Sequence, residues 1–188
     1  MCIVVLLKIK REKTTKLTLE TERLILRPFN ADDAEAMFYG WTSDHEVTKY
    51  LSWPTHQSID DTKFVLNLWE EQYEKPERLN FAICLKDSGQ LIGGIDVVGY
   101  EEGIPVIGYN LAKKHWNNGY MTEACRCVVN YLFSSGFKEV RIDAMTENAG
   151  SQKVIAKCGG KLLKTEEVPL PLKNKTAMVN MYIIRSEV

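Results

Sequence analysis

The sequence predicts a mixed α/β protein of the α+β type, with a central, mostly antiparallel twisted sheet flanked by helices. Three strand-like runs with short turns between them follow one another from residue 80 to residue 111, which is typical of an antiparallel meander. A run with apolar residues at helical spacing begins soon after, at Tyr120. With 188 residues and 45% hydrophobic content, the chain suits one buried core better than two, so a single domain over residues 1–188 is expected.

The first part of the chain contains two strand-like runs and a short helix. Residues 1–7 are apolar but too few to cross a bilayer, and no basic segment or cleavage site accompanies them. They are interpreted as an edge strand or an oligomer contact, with disorder or a misassigned start codon as the alternatives. Residues 18–27 alternate toward their end as a strand does, and a proline closes them because it cannot donate to a sheet ladder. Asn30 or Asp32 can then cap a short helix through Tyr39.

A second helix is predicted to begin after Ser58 and to end before Pro76. Ser58 and Asp61 resemble a capping box in which Asp takes the place usually held by Glu or Gln. The apolar residues that this helix carries are Ile59, Phe64, Leu66, Leu68, Trp69 and Tyr73.

The remaining elements follow in order. They are strands over residues 81–85, 90–100 and 104–111, a helix over 120–134, a strand over 140–146, a helix over 148–157, and strands over 161–168 and 176–185. One face of the 120–134 helix is apolar, so that face is expected to pack on the sheet. Its first amides would then point outward, beside the end of the preceding strand.

Composition excludes several classes of partner. Lys and Arg number 24 and Asp and Glu number 25, so the net charge of −1 gives no broad field for nucleic acid or an anionic membrane. Five cysteines without a CxxC pair fit a reducing cytoplasm. His45, His56 and His115 are widely spaced and have no other ligand at metal-binding spacing, so no metal site is expected. The last two strands and residues 1–7 could support a homodimer.

The segment with the most chemical information is Trp116-Asn117-Asn118-Gly119-Tyr120, which joins a strand to a helix. The first N–H groups of a helix lack internal partners and carry partial positive charge, so a turn around them can bind an anion. Gly119 would let a phosphate approach the backbone more closely than a Cβ allows, and Thr122 could add a hydroxyl. Spacing alone leaves an ordinary capped helix as the alternative.

The run Trp116-Asn117-Asn118-Gly119-Tyr120-Met121-Thr122-Glu123-Ala124 resembles the pyrophosphate motif of the GNAT superfamily of N-acyltransferases. The resemblance is to the form Trp-Gly-x-Gly-Tyr-Ala-Thr-Glu-Ala, found in the ribosomal-protein N-acetyltransferase branch, with Asn117 in place of a glycine and Met121 in place of a small residue. Residues 19–28, 44–51 and 148–159 resemble other segments of that branch in the same order, and residues 1–16 form an extension outside them. The resemblance implies the GNAT fold and an N-acetyltransferase that uses acetyl-CoA.

The resemblance also implies which residues bind acetyl-CoA. Main-chain groups of Asn110 and Leu111 would pair with the pantetheine arm as an added strand. Asn148 and Ser151 would lie near the thioester, although Asn148 is equally explained as a helix N-cap. The residues expected around the pyrophosphate are Trp116, Asn117, Asn118, Gly119, Tyr120, Met121 and Thr122.

The resemblance implies a general acid more clearly than a general base. In the wider family a glutamate often acts as base and a tyrosine as acid, and Val106 and Ile155 stand at those positions here. The branch uses the serine of its Asn-x-x-Ser motif, so Ser151 is predicted to protonate the leaving thiolate. Three carboxylates could act as the base through water, although each is also explained as a solvated charge: Asp96, Glu101 and Glu102.

The missing glutamate favours an acceptor amine of low pKa. An α-amine with a pKa of about 7.7 to 8.0 is partly neutral at pH 7, whereas a lysine amine near about 10.4 is almost wholly charged. The predicted acceptor is therefore the α-amine of a peptide or protein N-terminus. A small-molecule N-acetyltransferase for an antibiotic, polyamine or amino acid analogue is the alternative on the same fold, and a non-catalytic acyl-CoA-binding module is the alternative of another class.

Overall fold

The computed structural model describes residues 3–5, 17–73 and 79–186, the first of these ranges by its backbone alone. Within these ranges nine strands form one sheet in the order β1-β2-β3-β4-β5-β6-β7-β9-β8. The strands are β1 Ile3–Val5, β2 Thr18–Glu20, β3 Leu24–Pro28, β4 Asn80–Leu85, β5 Leu91–Glu101, β6 Ile104–Leu111, β7 Glu139–Met145, β8 Lys161–Leu170 and β9 Lys175–Arg185. The helices are α1 Ala34–Met37, α2 His45–Thr48, α3 Ile59–Gln72, α4 Tyr120–Ser134 and α5 Ala149–Lys157. None of the helices in the described ranges is long and apolar enough to cross a membrane.

The sheet opens between β6 and β7. All other neighbouring strands pair antiparallel, whereas β6 and β7 pair in parallel at two positions, the second being Ile107 with Ile142. β6 continues to Leu111 and β7 to Met145, so the two strands diverge beyond their last paired residues. The crossover helix α4 begins near the wide end of the gap.

Helices cover both faces of the sheet. α4 and α5 pack on one face, and α1, α3 and Trp41 pack on the other. β4 contributes to both cores, with Phe81 and Ile83 in the first and Ala82 and Cys84 in the second. A strand buried on both faces has a continuous apolar sequence rather than an alternating one, as β4 does.

The predicted fold class is confirmed, and the helices next to the gap have the expected bounds. α4 occupies residues 120–134. α5 begins after Asn148, whose side chain accepts a hydrogen bond from the Ser151 amide. α3 begins with the predicted capping box, in which the Asp61 amide donates to the Ser58 hydroxyl and the Ser58 amide donates to the Asp61 carboxylate.

Two details differ from the predictions for the first part of the chain. Residues 18–27 form parts of two strands rather than one, because the Thr21 amide donates to the Leu24 carbonyl (3.0 Å) and turns the chain between β2 and β3. On α3, Leu66 is buried, but Phe64 is 64% exposed because it lies on the side of the helix that faces away from the sheet. The apolar residues of α3 are therefore only partly core.

Candidate active site

Two residues with a left-handed backbone shape the turn before α4. Asn117 has φ 62°, and Gly119, the N-cap residue of the helix, has φ 81°. Within the described part of the chain, the main-chain amides of residues 117–122 donate no hydrogen bond. The turn therefore presents free donors at the positive end of the α4 dipole, which is the arrangement that binds anions.

A carboxylate on the first turn of α4 fastens this turn to the sheet. Glu123 accepts hydrogen bonds from Thr21 Oγ1 (2.6 Å), from the Arg23 amide (2.9 Å) and from Arg23 Nε (2.7 Å). Arg23 also donates from Nη1 to the Asn118 carbonyl (3.0 Å) and lies over the Tyr120 ring. Burial opposes the ionisation of Glu123, but the hydrogen bonds from Thr21 and Arg23 outweigh it and hold the pKa of this carboxyl below its usual value. The contacts of Arg23 with Glu123 and with the Asn118 carbonyl therefore fix the turn.

A cavity of about 530 Å³ lies between this turn, the end of β6, α5 with the two residues before it, and residues 47–51. Its volume is in the range of small-molecule and cofactor sites. The predicted site residues that line it are Asn110, Leu111, Trp116, Asn117, Gly119, Tyr120, Met121, Thr122, Asn148 and Ser151. Asn118 is not among the lining residues, because its carbonyl faces Arg23 and its side chain donates to the Trp116 carbonyl (2.9 Å).

β6 presents main-chain groups to the gap beyond its last pairing with β7. The Ala112 amide donates to the Ile92 carbonyl of the β5 segment (2.8 Å). Because hydrogen-bonded and non-bonded pairs alternate along an antiparallel ladder, the main-chain groups of Asn110 face β5 and those of Leu111 face the gap. The Leu111 carbonyl accepts a hydrogen bond from Trp116 Nε1 (2.7 Å), which fixes the strand end. The Leu111 amide is thus the group placed to pair with an added strand, and Asn110 contributes its side chain.

Two buried polar atoms at the cavity lack a partner in the part of the chain that the structure describes, Asn110 Oδ1 and His115 Nε2. Buried polar atoms are normally hydrogen-bonded to protein or water, and leaving one unpaired costs about 1–3 kcal/mol. The pKa of His115 is lowered mainly by burial and to a smaller extent by repulsion from Lys114, so the neutral imidazole is favoured. A ligand with polar groups could supply the partners that these two atoms lack.

Ser151 lies on the first turn of α5 and faces a phenol from the sheet. Its hydroxyl is 2.8 Å from the Tyr109 hydroxyl, 42 residues away in the chain. Burial raises the pKa of Tyr109 well above its usual value, so the phenol stays protonated at neutral pH and can donate to Ser151. No sequence pattern had marked Tyr109 for a role at the site.

The two positions at which the wider family often carries a glutamate base and a tyrosine acid hold buried apolar residues here. Val106 is 8% exposed, and Ile155 is wholly buried. Of the carboxylates considered as alternative bases, Glu101 forms an ion pair with Arg141, and Asp96 lies on β5 outside the cavity lining. The carboxylate that does line the cavity is Glu147, which the sequence analysis did not single out.

Two lysines on α5 also line the cavity, and the sequence analysis missed them. Lys153 and Lys157 are four residues apart and so share one helix face. A signal was available, because residues 148–153 resemble the branch's Asn-x-x-Ser-x-Arg pattern, in which an arginine stands at the position of Lys153. Their positive charge suits an anionic ligand in the cavity.

The described ranges contain no group of three or more His, Cys, Asp or Glu side chains that could hold a metal ion. Cys125 is wholly buried in the core beneath α4, so it does not face the cavity.

Residues 23–161 match the family described as the acetyltransferase (GNAT) domain. A Bacillus subtilis protein named uncharacterized N-acetyltransferase YoaA is 32% identical over 144 residues, which cover 75% of this chain and 81% of that protein. The crystal structure of a GNAT-family acetyltransferase from Bacillus anthracis has a TM-score of 0.78 at 26% identity, covering 89% of this chain and 98% of that one. The solved RimL ribosomal L7/L12 alpha-N-protein acetyltransferase in complex with coenzyme A has a TM-score of 0.76 and covers 88% and 95% of the two chains. Its identity is 17%, so this last likeness concerns the fold alone.

Proposed function

Since the chain belongs to the acetyltransferase (GNAT) domain family and is an N-acetyltransferase, we propose that it transfers the acetyl group of acetyl-CoA to the α-amine of a peptide or protein N-terminus. The observation that carries this proposal is the buried, apolar Val106 at the position of the family's glutamate base. Without a buried base at that position, the acceptor must lose its proton to an exposed carboxylate or to solvent, so an amine of pKa about 7.7 to 8.0 is a better nucleophile at pH 7 than a lysine amine near about 10.4. A structural neighbour with the same fold is named an alpha-N-protein acetyltransferase, so this fold is compatible with that acceptor class.

The cavity suits acetyl-CoA in charge and in hydrogen-bonding groups. The amides of residues 117–122 would hold the diphosphate, and Lys153 and Lys157 would add positive charge. An exposed helix N-terminus stabilises an anion by only about 0.3–1 kcal/mol, so several of these donors must act together. The Leu111 amide would pair with the pantetheine arm, which directs the thioester toward Asn148.

Ser151 is the proposed general acid. When Tyr109 donates to Ser151 Oγ, the serine hydrogen is free to turn into the cavity, toward the sulfur that leaves as the amide forms. A positioned acid of this kind contributes about a hundredfold or more to the rate. The Asn148 side chain holds the Ser151 amide, which keeps the serine at the start of α5.

Release of free CoA thiol from acetyl-CoA, measured with a panel of acceptors, tests the proposal. The panel contains short peptides with a free α-amine, the same peptides with that amine blocked and one lysine added, and a polyamine. We expect the highest kcat/KM for free α-amines. Faster reaction with lysine side chains or the polyamine than with every α-amine would reject the peptide acceptor and favour a small-molecule enzyme. Binding of CoA without turnover of any acceptor would instead indicate a binding module.

A further inference from the structure

A second cavity, of about 440 Å³, lies beside the first. It is formed by the end of β7, by the β8–β9 hairpin and by the residues that follow α2. Lys49, Tyr50 and Glu147 line both cavities. The two spaces therefore meet at Glu147, four residues before the proposed acid Ser151.

The main chain around Glu147 is held in place, whereas its carboxylate is not engaged. The Thr146 amide donates to the Met178 carbonyl (2.9 Å), and Gln152 Nε2 donates to the Thr146 carbonyl (2.8 Å). The Glu147 side chain is exposed and makes no hydrogen bond or ion pair with any part of the chain that the structure describes. A fixed backbone that carries an unengaged carboxylate between two cavities is suited to meeting a ligand.

Hydrogen bonds connect the residues on the other side of the junction, Lys49 and Tyr50, to the β8–β9 hairpin. Lys173 Nζ donates to the carbonyls of Thr48 (2.7 Å) and Lys49 (3.3 Å). Lys173 lies in the turn between β8 and β9, so these bonds connect that turn to the end of α2. They hold Lys49 and Tyr50 across from Glu147 and give the junction two fixed sides.

Negative charge in the second cavity lies near the junction. Glu167 is opposite Met178 in the β8–β9 ladder, and Met178 is the residue bonded to the turn that precedes Glu147. Lys175, which also lines this cavity, is three residues farther along β9 from Met178, or about 10 Å at about 3.3 Å per residue. The charge of Lys49 is directed to Glu46 (3.4 Å). Neither of the two lysines that line this cavity forms an ion pair with Glu147 in the described ranges, so the Glu147 carboxylate can accept a proton.

We propose that Glu147, where the two cavities meet, is the base that takes the proton of the neutral acceptor amine as it attacks, in place of the glutamate that the wider family carries at the position of Val106. This assignment rests on the proposed N-acetyltransferase function. The amine nitrogen bonds to the thioester carbonyl carbon, the C–S bond breaks, and its electron pair leaves on sulfur. One amine proton passes to Glu147, and the thiolate takes the Ser151 hydroxyl proton. Solvent then carries a proton from Glu147 to Ser151, so both side chains end as they began.

The test compares Glu147→Gln with Glu147→Asp and with a matched control, Glu166→Gln. Glu166 is a β8 carboxylate paired with Lys164 (2.7 Å) and lies outside both cavity linings. We expect Glu147→Gln to lower kcat/KM for amine acceptors about a hundredfold and Glu147→Asp to lower it less, because a positioned base contributes about 10²–10⁴ to the rate. The loss should shrink for acceptors of lower amine pKa, which need less help in losing a proton. The Kd for CoA, measured by calorimetry, should match the wild type in all three variants.

Each outcome decides the assignment. A kcat/KM for Glu147→Gln within about threefold of the wild type, or an equal fall in Glu166→Gln, would overturn it. If small cationic amines react in a way that depends on Glu147 while peptides do not, the peptide acceptor is wrong and this assignment stands. If the protein binds CoA but acetylates no amine in the panel, both proposals are wrong.

Discussion

Replacement of Gly119 by alanine separates backbone strain from loss of the diphosphate site. Gly119 has φ 81°, a left-handed conformation that costs an L-residue about 1–2 kcal/mol. A Cβ at this position would meet Arg23 Nη2 at 3.5 Å, which is an ordinary contact. The fold should therefore tolerate Gly119→Ala apart from this strain. For a chain of this length about 1 kcal/mol shifts Tm by roughly 2–4 °C, so we expect Tm to fall by roughly 2–8 °C.

The turn between β5 and β6 offers a matched control. Gly103 has φ 82°, and a Cβ there would meet nothing within 4 Å. Gly103→Ala should therefore lower Tm by about the same amount, although Gly103 is not a cavity residue. In Gly119→Ala, the added methyl group should also keep phosphate oxygens away from the neighbouring amides. Losing one hydrogen bond to a charged group costs about 1.5–3 kcal/mol, so the Kd for CoA should rise roughly tenfold to a hundredfold in this variant alone.

Thermal unfolding without ligand and calorimetric titration with CoA provide the two measurements. We expect matching Tm values and different Kd values for the two variants. If both bind CoA as the wild type does, the amides of residues 117–122 are not the diphosphate site. If both lose affinity equally, binding follows global stability, and Gly119 has no special place in the cavity.

Three further changes test other parts of the site. Ser151→Ala should lower kcat about a hundredfold while leaving the Kd for CoA unchanged, and an unchanged kcat in the thiol-release assay would exclude Ser151 as the acid. Glu123→Gln should lower the free energy of unfolding by about 1–2 kcal/mol at pH 7, because it loses charged hydrogen bonds. Since the folded-state pKa of Glu123 is depressed, the wild type loses this contribution as the pH falls through that pKa, so the Tm values of the two proteins should converge in acid. Iodoacetamide should modify Cys158 before Cys125 and Cys84, and peptide mass mapping would show the order. A hydrogen bond from Cys125 lowers the pKa of Cys158, whereas that same bond, together with burial, raises the pKa of Cys125, and burial raises the pKa of Cys84.

The helices beside the site could be predicted because their signals are local. The side chain of Asn148 accepts from an amide three residues ahead, and Ser58 and Asp61 exchange hydrogen bonds over the same spacing. Such contacts need only the adjacent chain, so the residue types show where α3 and α5 begin. Most of the predicted cavity residues come from one continuous run around Gly119, and the same locality placed them together.

The parts of the site that sequence reasoning missed are long-range contacts. Arg23 forms a hydrogen bond with Glu123, which is 100 residues away in the chain. Arg23 also binds the Asn118 carbonyl, and this contact helps to keep Asn118 out of the cavity lining. Tyr109 meets Ser151 across 42 residues. No local pattern marks either pair, because each depends on which elements the folded sheet brings side by side.

The sequence by itself determined the fold class, the order of the elements and the turn whose amides face the cavity, since capping, alternation and helical spacing are properties of neighbouring residues. Only the tertiary structure decided where β6 and β7 separate, that Tyr109 meets Ser151, and that Glu147, just beyond β7, lines the cavity. Strand order and register arise from packing both faces of the sheet against helices, and the pattern of a single strand does not specify its neighbours.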